Sequence, residues 1–127
     1  MASLSIYETP DGVRPFSEWF ASLDKVSSDR IAEGVARFEK GNFGDSKGVG
    51  GSVLERRFSF GPGYRVYYGR DGTSLVVLLG GGSKRRQSTD IARAKRYWDA
   101  YLAEKRAAKA DEAAADFEVE SDDATGR

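Results

Sequence analysis

The side chains of this 127-residue chain that could do chemistry are cations, carboxylates and tyrosines, because the sequence has no histidine and no cysteine. Their absence excludes Ser-His-Asp triads, thiolate nucleophiles, Cys/His zinc sites and disulfides. Any catalysis must therefore come from Lys, Arg, Tyr, Asp or Glu. We expect neither a metal site nor another cofactor.

The first candidate site consists of two arginines on neighbouring strand-like runs, which Gly61-Pro62-Gly63 separates at hairpin length. If Phe58 lies opposite Tyr64, the alternation of side chains along a strand places Arg57 directly opposite Arg65. A like-charge pair weakens a sheet unless an anion or a carboxylate lies between the charges. Glu55 on the same face can supply that carboxylate, and a phosphate can supply the anion.

The same register divides the hairpin into two faces. One face is apolar and carries Leu54, Phe58, Tyr64, Val66 and Tyr68, whereas the other carries Glu55, Arg57, Ser59, Arg65 and Tyr67. Arg56 turns toward the apolar face. We expect Arg56 at a sheet edge, with its stem packed and its charged head in water.

The second candidate site is the basic run from Lys84 to Gln87, which continues onto the last predicted helix. Between residues 84 and 96 there are six positive charges and one acid, Asp90. Cations neutralise phosphates and aromatic rings stack on unpaired bases, so basic clusters interleaved with tyrosines favour single-stranded RNA binding. The alternative is a solvated basic helix terminus. Either of the nearby acids Glu55 and Asp90 could act as a base, but we expect them instead to orient Arg57 and to cap the last helix.

The charges are distributed unevenly although the net charge is zero. Residues 1–110 hold 19 of the 20 Lys and Arg but 13 of the 20 acids, a net charge of +6, whereas residues 111–127 carry −6. A basic body indicates a polyanion surface, and the acidic tail either aids solubility or folds back over the basic groove and inhibits it.

The hydrophobic spacing predicts the element order β-α-α-β-β-β-α, an α+β domain in which helices pack on an antiparallel meander sheet. We expect a glycine-rich loop over residues 41–51, a hinge at Gly80-Gly81-Gly82 and a last helix capped by Thr89. Ser27 and Ser28 are the cap candidates of the second helix. The predicted division is a domain over residues 1–106 and an acidic, disordered tail over 107–127. No apolar run approaches the length of a membrane span, so we expect a cytoplasmic protein.

The sequence resembles the HigB-like branch of the RelE/ParE toxin superfamily, also called the addiction module killer protein family, over about residues 4–102. The residues that carry the resemblance are Gly41-Asn42-Phe43-Gly44-Asp45, Leu54-Glu55-Arg56-Arg57, Phe60-Gly61-Pro62-Gly63-Tyr64-Arg65-Val66-Tyr67-Tyr68, Leu78-Leu79-Gly80-Gly81-Gly82-Ser83-Lys84, Gln87 and Asp90-Ile91. The resemblance implies a RelE-like fold and the toxin of a type II toxin-antitoxin system. Such a toxin is a ribosome-dependent endoribonuclease (mRNA interferase) that a cognate helix-turn-helix antitoxin neutralises.

The reaction that the resemblance implies is metal-independent strand scission by transesterification. It needs a base for the ribose 2′-hydroxyl, cations for the phosphorane charge and an acid for the 5′-oxygen. We assign phosphate stabilisation to Arg65 with help from Arg57, and contact with the leaving group or the phosphate to Arg85. Lys84 lies among cations that favour its neutral amine, so Lys84 is the base, or the proton donor if it stays charged. Further expected RNA contacts are Arg56, Tyr67, Arg86, Gln87 and Lys47.

One position departs from the family pattern. Several RelE relatives have a tyrosine early in the last helix, where this chain has Ile91. Tyr67 is a candidate substitute. The alternatives are therefore a non-catalytic toxin-fold protein that binds an antitoxin or RNA, and a toxin that targets gyrase.

Overall fold

The computed structural model describes the backbone of residues 2–125 and the side chains of residues 2–115. Five strands and three helices follow one another as β1 Ser3–Ile6, α1 Pro15–Ala21, α2 Lys25–Ala36, β2 Ser46–Gly50, β3 Val53–Arg57, β4 Tyr64–Asp71, β5 Leu75–Ser83 and α3 Gln87–Thr125. Short 3-10 turns at Arg37–Lys40 and Lys84–Arg86 follow α2 and precede α3. The predicted α+β class is confirmed.

The strands form one mixed sheet in the order β1-β5-β4-β3-β2. Strands β3, β4 and β5 are antiparallel neighbours, which confirms the predicted meander, and β2 extends it by pairing antiparallel with β3. The expectation of a wholly antiparallel sheet is wrong, because β1 pairs with β5 in parallel. A parallel pair needs a long crossover connection, and here the connection contains the helices α1 and α2 and three strands.

The glycine-rich segment forms a strand where we expected a loop. Ser46 of β2 pairs with Arg56 of β3, Lys47 pairs with Glu55, and the register shifts between Gly48 and Gly50. Main-chain hydrogen bonds form this pairing, so it does not need the β-branched side chains by which strands are predicted. Since β2 covers β3, Arg56 is not at the sheet edge.

The predicted register of the β3–β4 hairpin is confirmed. Leu54 pairs with Tyr68, Arg57 pairs with Arg65, and the Phe58 amide donates to the Tyr64 carbonyl at 2.9 Å. On one face of the sheet, Phe16 of α1, Ile31 and Val35 of α2, and Phe38 of the following 3-10 turn pack against Phe58, Val66 and Tyr68. On the other face, the core consists of Tyr7, Val53, Tyr67, Val77, Leu79, Ala94 and Trp98.

Gly80, Gly81 and Gly82 belong to β5, so the predicted hinge is wrong. A Cβ atom on Gly81 would lie 2.2 Å from the Trp19 ring, and a Cβ atom on Gly82 would lie 1.9 Å from Oδ2 of Asp90. Gly81 and Gly82 thus lie in the strand because α1 and α3 approach its backbone closely from opposite faces.

The helix termini differ in part from the predicted ones. The side chain of Asp24, and not that of Ser27 or Ser28, caps α2 by accepting from the Ser27 amide at 3.1 Å. Gly41 ends the following 3-10 turn in the left-handed conformation that its position predicts.

Helix α3 begins at Gln87, before the expected cap at Thr89, and its backbone continues to Thr125. The domain division at residue 107 stays a prediction, because the tail side chains from residue 116 onward lie outside the described residues. No helix within the described ranges combines the length and the apolar composition that a membrane crossing needs.

Candidate nucleic-acid interface and active site

Three of the four predicted catalytic residues lie in one open depression at the end of the β3–β4 hairpin. This depression, the basic groove, has a volume of about 710 Å³ and is lined by Asp45, Arg57, Ser59, Gly63, Arg65 and Lys84 among others. Lys84 follows the end of β5, and the pairing of Tyr64 with Ser83 brings it beside the hairpin turn. The sheet register therefore assembles the groove from residues as far apart in sequence as Asp45 and Lys84.

In the turn between β3 and β4, one carbonyl group binds both the side chain of Arg65 and the backbone of Lys84. The Gly63 carbonyl oxygen accepts from Nη1 of Arg65 at 3.2 Å and from the backbone amide of Lys84 at 2.9 Å. Gly63 has φ +75°, and a Cβ atom there would lie 3.2 Å from Cβ of Lys84. Only glycine fits this position without strain.

Arg65 lies over a buried carboxylate. Glu55 is fully buried, and its Oε1 atom lies 3.7 Å from Nε of Arg65. Its Oε2 atom accepts a 2.7 Å hydrogen bond from Nε2 of Gln87, the first residue of α3. Glu55 is thus the carboxylate that we expected near the arginine pair, and it supports Arg65 from below.

Arg57 has a different carboxylate partner, which lies at the rim of the groove. Its Nη2 atom donates to Oδ1 of Asp45 at 2.8 Å. This hydrogen bond lowers the pKa of Asp45 and raises the pKa of Arg57. Because both side chains are exposed, the ion pair is weak and an RNA phosphate could compete for Arg57.

The remaining predicted contacts on β2 and near the start of α3 do not line the groove. Arg85 and Arg86 are exposed on the 3-10 turn that starts with Lys84, and Arg86 faces a second cavity on the other side of this turn. Gln87 is bonded to Glu55 and therefore positions Arg65 indirectly. Lys47 is exposed on β2, opposite Glu55 in the register.

Two predicted RNA contacts lie elsewhere. Arg56 is on the α2 face, as expected, with its guanidinium 4.2 Å from the centre of the Phe58 ring. Tyr67 is 1% exposed beneath α3, so its ring is not presented to an RNA base. Ile91 is half-buried and packs against the core under α3, so the groove gains no hydroxyl from either position.

Sequence reasoning missed Asp45 and Gly63 as parts of the basic groove. Asp45 lies in the segment expected to be a loop, and only the β2–β3 pairing brings it to Arg57. The Gly61-Pro62-Gly63 turn could have indicated the role of Gly63 in the groove, but the sequence pattern predicts only a hairpin connection there. Asp90 lies in the first turn of α3, as expected, but the sequence did not indicate that it is buried, 8% exposed, against Gly82.

The arrangement can bind and polarise a phosphodiester. Two guanidinium groups offer forked donors to phosphate oxygens, and the Lys84 ammonium can hold or transfer a proton nearby. Within the part of the chain that the structure describes, no group of three or more acidic residues could hold a metal ion.

No protein-family model matches the chain. An uncharacterized protein of Haemophilus influenzae is 40% identical over 81 residues, which is 63% of this chain and 82% of that protein. This identity and coverage show common ancestry across most of the smaller protein. The chain therefore belongs to the same protein family as this Haemophilus influenzae protein.

Proposed function

We propose that the protein is the toxin of a type II toxin-antitoxin system and cleaves messenger RNA at the ribosome. The observation that carries this proposal is the convergence of Arg57, Arg65 and Lys84 in one open groove. The sequence resemblance to HigB-like toxins implies a RelE-like fold. It also implies two partners, the ribosome and a helix-turn-helix antitoxin. The site of action in this proposal is the cytoplasm.

In the proposed reaction the ribose 2′-oxygen attacks the adjacent phosphorus and the 5′-oxygen leaves. Arg65 binds the phosphate oxygens and stabilises the charge that develops on them, and Arg57 assists after it leaves Asp45. Lys84 transfers the proton at the attacking or the leaving oxygen, and Arg85 contacts the backbone next to the leaving group. Arg86 and Lys47 extend the positive surface for the flanking phosphates.

A second candidate function is binding without cleavage, either to an antitoxin or to gyrase. The specific observation in its favour is that Tyr67 is buried and Ile91 is apolar, so neither supplies the tyrosine hydroxyl that several RelE relatives have. A toxin of this kind would arrest growth without new RNA ends.

The test is induced expression of the wild-type chain, Arg65→Ala and Lys84→Ala in a bacterial host, with growth followed and the 5′ ends of translated messages mapped. We expect arrest and new ends within reading frames for the wild type. Each variant should reduce cleavage about 100-fold or more, because it removes a charge that acts on the transition state.

Arg106→Ala is the matched control, since it removes one exposed arginine from α3 far from the groove. Its cleavage should equal that of the wild type at equal protein abundance. Arrest without new RNA ends, accompanied by altered plasmid supercoiling, would favour the gyrase-targeting function. Cleavage that persists in Arg65→Ala would refute the site assignment.

A further inference from the structure

A second cavity lies beside the basic groove, at the edge of the sheet where β1 ends. This edge cavity has a volume of about 300 Å³, and its lining includes Trp19, Tyr67, Gly80, Asp90, Arg93 and Tyr97. Strand β1 pairs with β5 only as far as Leu78. No strand in the described ranges pairs with the next residues of β5 on that side, so the cavity opens at an uncovered strand edge.

A missing side chain creates the space. Gly80 pairs with Tyr67 and therefore faces α3, yet a Cβ atom on Gly80 would meet nothing within 4 Å. The neighbouring glycines are tightly covered by Trp19 and Asp90, as described above. The open volume over Gly80 is therefore specific to this position, and its size suits a small planar ligand.

Two buried polar groups in the lining have no hydrogen-bond partner. Asp90 is 8% exposed and its Oδ2 atom is unpartnered, whereas Oδ1 lies 3.8 Å from Nη1 of Arg93. The hydroxyl of Tyr67 is also buried and makes no hydrogen bond of ordinary geometry, although the Glu55 carboxylate interacts with it and, with burial, raises its pKa. Unsatisfied buried groups of this kind are costly to the fold and are typical of sites that a ligand completes.

The rest of the lining restricts the class of ligand. Trp19, Tyr64 and Tyr97 offer aromatic faces on which a planar ring can stack. Arg86 and Arg93 flank Asp90 and disfavour a cationic ligand, but they would attract a phosphate. An apolar peptide side chain would fill the volume and leave Asp90 and Tyr67 unpaired. The observations therefore favour a neutral planar ligand with N–H donors and an attached phosphate.

We infer that the edge cavity binds the guanine base of a ribonucleotide, with Asp90 accepting hydrogen bonds from the base. Guanine presents adjacent N–H donors on its Watson–Crick edge, and an ionised carboxylate is an acceptor only. Arg86 and Arg93 lie where they can contact the attached phosphate. The nucleotide is either free or part of an RNA strand, and only the RNA source rests on the function proposed above.

The position of the cavity fits an RNA strand that also occupies the basic groove. Gly63 and Lys84 line the groove, and the residues next to them, Tyr64 and Ser83, line the cavity. A strand with one phosphate at Arg65 can therefore continue around the end of β5 toward the cavity. In this case Asp90 would contribute to the base preference of the nuclease.

The test is isothermal titration calorimetry of the full chain with GMP, AMP, CMP and UMP. We expect GMP to bind at least tenfold more tightly than the other three. Asp90→Asn, which removes the acceptor-only carboxylate, and Gly80→Val, which fills the cavity, should each weaken GMP binding at least tenfold. Gly48→Val is the matched control, because Gly48 is also a strand glycine with open space at its Cβ position.

Oligoribonucleotides distinguish the two sources of the base. If RNA supplies it, an oligoadenylate with a single guanosine will bind at least tenfold more tightly than GMP, and Arg65→Ala will weaken only the oligonucleotide. If a free nucleotide supplies it, GMP will bind as tightly as the oligonucleotide. Because GMP binding needs neither ribosome nor cleavage, its result stands apart from the failure or success of the nuclease proposal.

Equal affinity for all four nucleotides, or GMP binding that survives both variants in folded protein, would overturn the inference. A library of extended peptides tests the competing occupant of the uncovered strand edge. A peptide that protects the amides of Gly80, Gly81 and Gly82 from hydrogen exchange, in a protein that does not bind GMP, would also overturn it.

Discussion

At the residue scale, the chain places its buried carboxylates in two different situations. Glu55 accepts a 2.7 Å hydrogen bond from Gln87 and lies 3.7 Å from Arg65, whereas Asp90 lies 3.8 Å from Arg93 and its Oδ2 atom has no hydrogen bond. Burial raises the pKa of Asp90, and the nearby Arg86 and Arg93 only partly oppose this shift. Glu55 thus helps to position Arg65 in the groove, whereas the buried charge of Asp90 lowers the stability of the folded protein.

This difference predicts that Asp90→Asn stabilises the protein without ligand. An acid with a raised pKa binds its proton more tightly when folded, so its ionisation lowers stability as the pH rises from its ordinary value of 3.8 to its raised value. The cost is complete at neutral pH and absent below 3.8. We expect Asp90→Asn to raise the free energy of unfolding at pH 7 by about 1 kcal/mol, and to lose this gain in acid.

Urea denaturation at a series of pH values measures this effect, and Asp99→Asn serves as a control on an exposed carboxylate of the same helix. A gain that is as large at pH 3 as at pH 7 would show that the stabilisation does not come from the Asp90 charge.

At the element scale, the glycines of the sheet determine how closely the helices approach it. A Cβ atom on Gly69 would lie 2.4 Å from the buried Trp98 ring under α3, and the corresponding distance from Gly81 to Trp19 of α1 is 2.2 Å. Each contact involves ring atoms that are held in a packed layer. The strands therefore depend on the absence of a side chain at these two positions.

We accordingly predict that Gly69→Ala and Gly81→Ala each lower the free energy of unfolding by about 1–3 kcal/mol, because overpacking forces the rings and helices to shift. Gly80→Ala, on the same strand as Gly81 but beside open space, should leave stability unchanged or slightly raised. Thermal or chemical denaturation of the three variants measures the contrast. Equal losses at Gly80 and Gly81 would contradict the packing account.

The elements also show why the sequence predicts one part of the fold better than another. The register of β3 and β4 could be predicted residue by residue because a short turn and an alternating pattern determine it. The strand β2 and the strand conformation of Gly80 to Gly82 could not be predicted, because a local sequence rich in glycine indicates a turn or loop. The glycines at positions 81 and 82 are explained only by helices that pack against them from other parts of the chain. Likewise, Arg57, Arg65 and Lys84 carry a local signal, but the Asp45 and Asp90 environments arise from tertiary packing.

At the scale of the whole molecule, the acidic segment begins at Asp111, which lies far along α3 from the basic groove. Asp111 follows Gln87 by 24 helical residues, which is about 36 Å along the axis at 1.5 Å per residue. This distance is several times the screening length of about 8 Å at physiological salt. The backbone path therefore argues against a tail that folds over the groove, although the tail side chains from residue 116 onward lie outside the described residues.

We predict that truncation after Ala110 changes the RNA affinity of the groove less than twofold at physiological salt. Fluorescence anisotropy with a labelled oligoribonucleotide measures it, and Lys84→Ala provides a variant with an expected large loss. A marked gain in affinity upon truncation would revive the autoinhibitory tail.

The parallel pairing of β1 with β5 has a consequence for the order in which the chain folds. Ser3 pairs with Leu75, 72 positions later, so during synthesis the first strand waits without a partner until β5 has left the ribosome. Contacts of such long sequence separation form slowly. Pulse-labelled hydrogen exchange during refolding should show the β1 amides protected after those of the β3–β4 hairpin. We therefore expect β1, the first of the five strands in the chain, to join the sheet after β3 and β4 have paired.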